Sequence, residues 1–326
     1  MAAWSERRLI ERIRQASESS DKGLLKSIGD DCCEVISHGS FLISTDSLVD
    51  GIHFDRLFHP PHLLGRKSIA VNLSDIAAMG GKPRFILLSL CLPVDLEWEW
   101  ITSWLDGVLE ILEEFECVLI GGDTVKAKEL VVTVTVLGEP VNTGAIYRNT
   151  AKEGDSVWVS GPLGSAGCGL MLLSHEQQQP GVIGLDSFGT LINAHLDPKP
   201  EIELGQKLAG SGMVTAMQDI SDGLATDLAH ICKASNVSAY IQAEQLPFLP
   251  ELPEAATVLK AEVEDLLLRS GEDYQLVFTV KQGKEEDFME CIQGVVRVGA
   301  IRSGKGVFLE RENGTIEDIS YQGYEH

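Results

Sequence analysis

Ser68-Ile69-Ala70-Val71-Asn72-Leu73-Ser74-Asp75-Ile76-Ala77-Ala78-Met79-Gly80-Gly81 is the stretch on which the fold class turns. Leu63, Ile69, Leu73 and Ile76 recur at helical spacing until Gly80-Gly81-Lys82-Pro83 stops the run, and the segment is apolar nearly all round, as in a buried helix. Residues 84–92 follow as an apolar strand. Residues 95–116 return to helical spacing, with Trp98, Ile101, Leu105, Val108, Leu112 and Phe115 on one face, and strands are expected at 117–120 and 130–137. With a further strand at 41–49, this alternation predicts an α/β half that ends near Val141.

The polar, turn-like stretch Ala151-Lys152-Glu153-Gly154-Asp155 precedes a new strand at 157–159 and marks a second half built on the same logic. Its glycine-rich run Gly161-Pro162-Leu163-Gly164-Ser165-Ala166-Gly167 opens an apolar helix, and 177–186 is expected to be a loop. Residues 222–235 form a predicted helix with Leu224, Leu228 and Ile231 inward, and strands are expected at 275–280, 295–301 and 307–310.

The chain has 326 residues, 44% of them hydrophobic, which allows a large core and suggests two domains. A net charge of -23 leaves no basic face for nucleic acid or an anionic membrane, so partners should be metals, small molecules or protein. The seven cysteines are odd in number and contain no C-x-x-C pair, which argues against a disulfide framework and a zinc site; they are expected to be buried thiols in a reducing compartment. No segment approaches the ~18 apolar residues of a membrane span, and the expectation is a cytoplasmic protein.

Aspartates gather at what look like the ends of apolar runs: Gly29-Asp30-Asp31, Ser44-Thr45-Asp46, Asn72-Leu73-Ser74-Asp75, Gly121-Gly122-Asp123-Thr124 and Asp219-Ile220-Ser221-Asp222-Gly223. Converging carboxylates raise one another's pKa unless a cation lies between them, and oxygen ligands of this kind suit magnesium, which commonly accompanies phosphate. Each motif also has a plain explanation: Asp30 and Asp31 as turn residues, and Ser221 or Asp222 as a helix cap. Asp75 is less easily explained, because a carboxylate in a buried helix needs a partner and no lysine or arginine follows it at helical spacing. The chain has neither a G-x-x-x-x-G-K-[ST] loop nor a G-x-G-x-x-G after a strand. The run 161–169 is compatible both with an anion held on backbone amides and with close helix packing.

Taken in order, Gly29-Asp30-Asp31, the block from Ser44 through His53-Phe54, the block from Ala70 to Gly80, Gly121-Gly122-Asp123-Thr124, Asp219-Ile220-Ser221-Asp222-Gly223-Leu224 and Gly271-Glu272-Asp273-Tyr274 resemble the thiamine-monophosphate kinase family. That family belongs to the superfamily of aminoimidazole ribonucleotide synthetase and selenophosphate synthetase. The resemblance spans nearly the whole chain. It implies a two-domain α/β (α+β) fold: residues 1–147 an ATP- and metal-binding domain with a mixed sheet flanked by helices, forming a barrel across a homodimer, and 148–326 an α/β sandwich domain.

The implied activity is ATP-dependent phosphorylation of thiamine monophosphate to thiamine diphosphate, with ATP as co-substrate and several Mg2+ ions as cofactor. The family's metal ligands map onto Asp31, Ser44, Thr45, Asp46, Asp75, Asp123, Asp219 and Asp222, its nucleotide contacts onto Gly122, Asp123, Arg148 and Ser221, and its thiamine contacts onto His53, Glu272 and Tyr321. No side chain is expected to act as a catalytic acid or base, because a phosphate monoester with a second pKa near ~6 is already largely ionised at neutral pH. The aspartates of both halves are expected at one cleft. Three departures stand out. Where the family has an arginine-rich R-P-x-P-R stretch this chain has Asp197-Pro198-Lys199-Pro200-Glu201, Ser165 stands where an aspartate is common, and Tyr321 where a tryptophan is common.

Overall fold

Alternating helices and strands assemble the first part of the chain as α1 (Glu6–Ala16), β1 (Leu24–Lys26), β2 (Glu34–Val35), β3 (Leu42–Val49), α2 (Pro61–Ala78), β4 (Gly81–Pro93), α3 (Trp98–Glu114), β5 (Val118–Ala127) and β6 (Val131–Pro140). This is a computed structural model, and it describes residues 4–28, 33–36, 39–141 and 144–324. The chain separates into two compact units, Met1–Ile76 with Gly81–Pro140, and Ala77–Gly80 with Val141–His326.

In the first unit the main sheet has the order β3-β6-β4-β5. Its β4–β5 pair is parallel, as a crossover through a helix requires, and its other pairs are antiparallel. Helix α3 buries Ile101, Leu105, Val108 and Leu112, the apolar face visible in the sequence. Every residue of α2 from Leu64 to Ser74 is buried. The two helices cross at closest approach where neither has a side chain: a Cβ on Gly65 would lie 2.0 Å from the Trp104 carbonyl oxygen, and one on Gly107 would lie 1.9 Å from that of His62. Arg66 is carried on the same buried helix and is met by Glu110 at 2.8 Å and Glu114 at 3.0 Å from α3.

The strands run longer than their apolar runs. β4 already begins at Gly81, and Pro83 is accommodated because the register with β6 shifts between Pro83 and Phe85, while pairing with β5 starts only at Phe85. β5 continues through Gly121-Gly122-Asp123-Thr124 to Ala127. Asp123 therefore lies within an edge strand, opposite Ser89, and Asp46 lies within β3, opposite Val134; neither marks a strand tip.

The second unit contains β7 (Ser156–Val159), α4 (Ser165–Gln178), α5 (Gly189–Leu196), α6 (Ile202–Ser211), β8 (Val214–Asp219), α7 (Leu224–Ser235), β9 (Ser238–Gln242), α8 (Leu252–Leu259), α9 (Val263–Arg269), β10 (Leu276–Val280), α10 (Glu285–Cys291), β11 (Val296–Arg302), β12 (Gly306–Glu310) and β13 (Ile316–Asp318). Its sheet has the order β13-β12-β9-β11-β7-β10-β8, with β9–β12 parallel. Val157, Val159, Val277 and Val298 on one face pack with Leu172, Leu228 and Leu267 from the helices. On the other face Trp158 and Phe278 meet Phe288 of α10, with ring centroids 5.3 and 5.8 Å apart. The expected loop at 177–186 is shorter than anticipated, because α4 runs to Gln178 and a single helical turn begins at Leu185. Helix α7 starts at Leu224 rather than 222, since Gly223 at φ +110° interrupts the helical path.

The thiols of Cys33, Cys91, Cys117, Cys168, Cys232 and Cys291 are free. Burial pushes Cys117 and Cys232 up to about 12 and Cys168 to about 11. The expectation of uniformly buried thiols is corrected at Cys291, which is exposed, and at Cys33 and Cys91, which are half-buried. Among the described residues no helix is long and apolar enough to cross a membrane.

Candidate active site

Three of the candidate ligands in the first unit meet where α2 runs along β3. The Ser44 hydroxyl donates to Asp75 Oδ2 at 2.5 Å, and the Asp46 amide donates to Asn72 Oδ1 at 3.0 Å. As β3 is an edge strand, the Asp46 amide has no neighbouring strand on that side, and the Asn72 side chain supplies the acceptor. Asn72 Nδ2 in turn donates to the Ser68 carbonyl at 3.2 Å, fixing the amide orientation. This bears on the question raised by the buried helix: the Ser44 hydroxyl is one partner of the Asp75 carboxylate.

Strand alternation sends Thr45 the other way, its hydroxyl donating to the Val134 carbonyl at 2.9 Å and lying 3.0 Å from Thr135 Oγ1. Asp123 is exposed on the opposite edge of the same sheet, three strand spacings or ~14 Å from β3, and accepts from its neighbour's amide, that of Thr124, at 2.9 Å. Beside it, Gly122 has φ +155°, and a Cβ there would sit 1.9 Å from the Leu88 carbonyl oxygen, so only glycine fits. His53 is half-buried in the turn after β3, and its Nδ1 accepts the Val49 amide at 3.1 Å, which puts the neutral ring's proton on Nε2. Asp31 lies outside the described residues.

In the second unit the loop from Asp219 to Gly223 joins β8 to α7. Its amides at Ser221, Asp222 and Gly223 donate to one oxygen of Asp227, at 3.0, 3.0 and 3.1 Å. Neither Ser221 nor Asp222 caps α7 with its side chain; an acid inside the helix reaches back instead. Burial, then the charges of Asp219 and Asp222, push the Asp227 carboxyl up to about 8.

Two further segments hang on this loop. Glu272 and Tyr274 donate their amides to the Ser221 and Ile220 carbonyls at 2.8 and 2.9 Å, and Tyr324 donates to the Asp222 carbonyl at 2.8 Å. Glu272, Tyr274 and Tyr321 have φ of +65°, +49° and +55°. That left-handed conformation is strained for such side chains and persists only where the surroundings impose it. The Glu272 carboxylate pairs with Nδ1 of the buried His195 at 3.0 Å. The Tyr321 ring lies 5.6 Å from that of His230, with Lys233 Nζ 6.0 Å from its centroid. Burial and then the positive charge of Arg148 lower the His230 pKa, so Arg148 belongs to the same neighbourhood. Asp219, Ser221, Asp222 and Glu272 are thus gathered at the N-terminal end of α7, while Tyr321 and Arg148 lie farther along the helix near His230, the Arg148 carbonyl accepting from Ser235 Oγ at 2.8 Å.

The glycine-rich loop before α4 resolves in favour of packing. The Gly164 and Ala166 amides are occupied by the Asp273 carboxylate at 2.6 and 3.0 Å. A Cβ on Gly167 would strike Ser270 Cβ at 2.3 Å, and one on Gly169 the Leu191 carbonyl oxygen at 2.1 Å. Burial pushes Asp273 from the usual 3.8 up to about 7, against the pull of those amides. A carboxyl raised by folding takes up a proton as the chain folds, so its contribution to stability is present at acid pH and lost as pH rises through about 7. We expect the wild-type unfolding midpoint, measured against that of Asp273→Asn, to fall between about pH 4 and 7 and to level off above; a constant difference would mean that Asp273 is ionised throughout.

The donors present are carboxylates and hydroxyls, a hard-oxygen set that fits Mg2+ and not zinc. Among the described residues no three or more His, Cys, Asp or Glu side chains form a ready-made metal group. Magnesium in phosphate-handling sites is commonly held by one or two carboxylates, with water and substrate oxygens completing its shell, and the Ser44–Asp46–Asp75 group suits that mode.

Residues 29–139 match the family described as AIR synthase related protein, N-terminal domain, and 152–311 match its C-terminal domain. A thiamine-monophosphate kinase of Aquifex aeolicus is 34% identical over 322 residues, covering 98% of this chain and 96% of the relative. The chain belongs to the thiamine-monophosphate kinase family. Its structure is similar to that of the thiamine-monophosphate kinase from Stenotrophomonas maltophilia, with TM-score 0.81 and 33% identity over 94% of this chain and 96% of that one. It is also similar to a structure described as AaThiL complexed with AMPPCP and TMP, with TM-score 0.74 and 32% identity over 93% of each chain. As a member of the thiamine-monophosphate kinase family the protein is an enzyme with the two-domain α/β fold of its relatives. Motif reading did not single out Asp227 or His195, and it held Asp273 only as part of Gly271-Glu272-Asp273-Tyr274, with no role of its own. The one available signal was an acid four residues past Gly223, in the first turn of α7.

Proposed function

We propose that the protein transfers the γ-phosphoryl group of ATP to thiamine monophosphate, giving thiamine diphosphate and ADP, in a direct in-line displacement. The observation that carries this reading is the gathering of Ser221, Asp222 and Glu272 at one loop, with Tyr321 and Arg148 beside the helix that follows it, in a chain whose relative is held with an ATP analogue and TMP. We assign residues 1–147 to ATP and metal binding and 148–326 to the companion domain. Bound Mg2+, held through Asp31, Ser44, Thr45, Asp46, Asp75, Asp123, Asp219 and Asp222, would screen the repulsion between two phosphate-bearing substrates and absorb charge during transfer.

The chain's own groups complete the arrangement. The acceptor phosphate needs no general base, having a second pKa near ~6. Arg148 offers the γ-phosphate end a permanent cation, with Gly122, Asp123 and Ser221 on the nucleotide. Glu272, anchored by His195, faces the cationic thiazolium, while His53 presents its Nε2 proton to the substrate. Tyr321 supplies a ring face for the neutral pyrimidine, beside cations suited to phosphate. Two copies are expected to associate through the sheets of their first units, with the enzyme working in the cytoplasm.

The test is a substrate panel: ATP and Mg2+ with thiamine monophosphate, thiamine and unrelated phosphate acceptors, with ADP and product scored by mass. Thiamine diphosphate should form from thiamine monophosphate alone and only with Mg2+. Its absence under every condition would sink the proposal.

A further inference from the structure

Three successive amides converging on one point make a concave nest, a device that usually receives a ligand's anionic group. At Ser221, Asp222 and Gly223 the nest is filled from within the protein, by the fully buried Asp227. The other Asp227 oxygen accepts Gln218 Nε2 at 2.7 Å. With its amides pulled inward, the loop turns its carbonyls outward, where Ser221 receives Glu272 and Asp222 receives Tyr324, three residues after Tyr321. Gly323 closes the same turn by donating to Thr226 Oγ1 at 2.9 Å.

From this geometry we propose that Asp227 is a positioning residue which sets the Ser221–Gly223 loop, and so places Ser221 for the nucleotide and, through the loop, Glu272 and Tyr321 at the candidate site. The inference rests on the phosphoryl-transfer reading for what is bound, but not for the clamp itself. A second observation shows what the clamp requires. Gln218 Oε1 is buried and, among the described residues, has no hydrogen-bond partner. An asparagine at 227 can keep its oxygen on the three amides and turn its NH2 toward Gln218, whose amide then rotates to accept with Oε1. Shape is therefore required at this position and charge is not, whereas a residue acting through its charge alone would not tolerate asparagine.

The experiment compares wild type, Asp227→Asn and Asp227→Ala by amide hydrogen exchange of the peptide containing Ser221–Gly223 and by calorimetric binding of the ATP analogue AMPPCP with Mg2+. The alanine variant is expected to lose protection at the loop, while peptides from β11 and β12 keep theirs, and to bind the analogue at least about tenfold more weakly. The asparagine variant is expected to retain both properties. Should the alanine variant fail to fold, Asp227→Ser, whose hydroxyl is too short to reach three amides, carries the same comparison. Wild-type protection and affinity in the alanine or serine variant would overturn the clamp, and an asparagine variant as impaired as alanine would overturn the claim that shape suffices. If the wild type itself binds no analogue, the phosphoryl-transfer reading fails while the exchange comparison still decides the clamp.

Discussion

Replacing Asp75 with asparagine should lower the rate of ADP formation with thiamine monophosphate by about 10²–10³-fold, the loss typical of removing one preorganised electrostatic group. The fold should survive. Asparagine retains an oxygen that can accept the Ser44 hydroxyl, now held at 2.5 Å by Asp75, and the flanking contacts of Asn72 with Asp46 and Ser68 are untouched. What the substitution removes is a negative charge on a buried helix, and with it the ability to hold a hard cation. The measurement is steady-state turnover at saturating Mg2+, paired with thermal unfolding. Activity within a few-fold of wild type would mean that the ions lie elsewhere, and a collapsed unfolding midpoint would give Asp75 a structural role instead.

The second large effect concerns stability. Gly65→Ala or Gly107→Ala places a methyl group about 2 Å from a backbone oxygen of the facing helix, at 2.0 Å from Trp104 and 1.9 Å from His62. Backbone cannot rotate away as a side-chain tip can, so α2 and α3 must separate. Overpacking of this kind costs about 1–3 kcal/mol or more, against a helix-propensity gain of about 1 kcal/mol from replacing glycine. The midpoint of thermal unfolding should fall by about 5 °C for either variant. Both residues occupy one crossing, so once the helices have parted the second methyl group adds little, and the double variant should lose less than the sum of the singles. Strict additivity would mean that each clash is relieved locally and that the helices do not move.

How much of this was legible in the sequence follows from length and locality. Helices α2 and α3 are long enough, at 18 and 17 residues, for their apolar periods to stand out. Helices α8 to α10, of seven or eight residues, complete barely two turns and leave no readable period. Strand β9 forms because β11 and β12 pair with it on either side, information that is absent from Ser238-Ala239-Tyr240-Ile241-Gln242 itself. Glycines and polar residues end an apolar run without ending a strand, which is why Asp46 and Asp123 were expected at strand tips and are found inside β3 and β5. The motif aspartates were visible as a set. The roles of Asp227, Asp273 and His195 were not, although Asp273 stood inside a motif, because each acts on a segment brought to it by folding: Asp227 on Ser221–Gly223, Asp273 on Gly164 and Ala166, and His195 on Glu272.

The face that β3 turns toward α2, with Ser44 and Asp46 on it, has a bearing on errors of folding. Edge strands are the ones most easily mispaired, and a slip of one residue turns every side chain to the opposite face. Were β3 to pair with β6 one residue out of step, α2 would meet Thr45 and Ser47 where it now meets Ser44 and Asp46, and the Asp46 carboxylate would turn to the opposite face, away from Asp75. The register of the sheet thus decides which carboxylates meet: a mispaired chain separates Asp46 from Asp75 and loses the acidic face proposed to hold the cation.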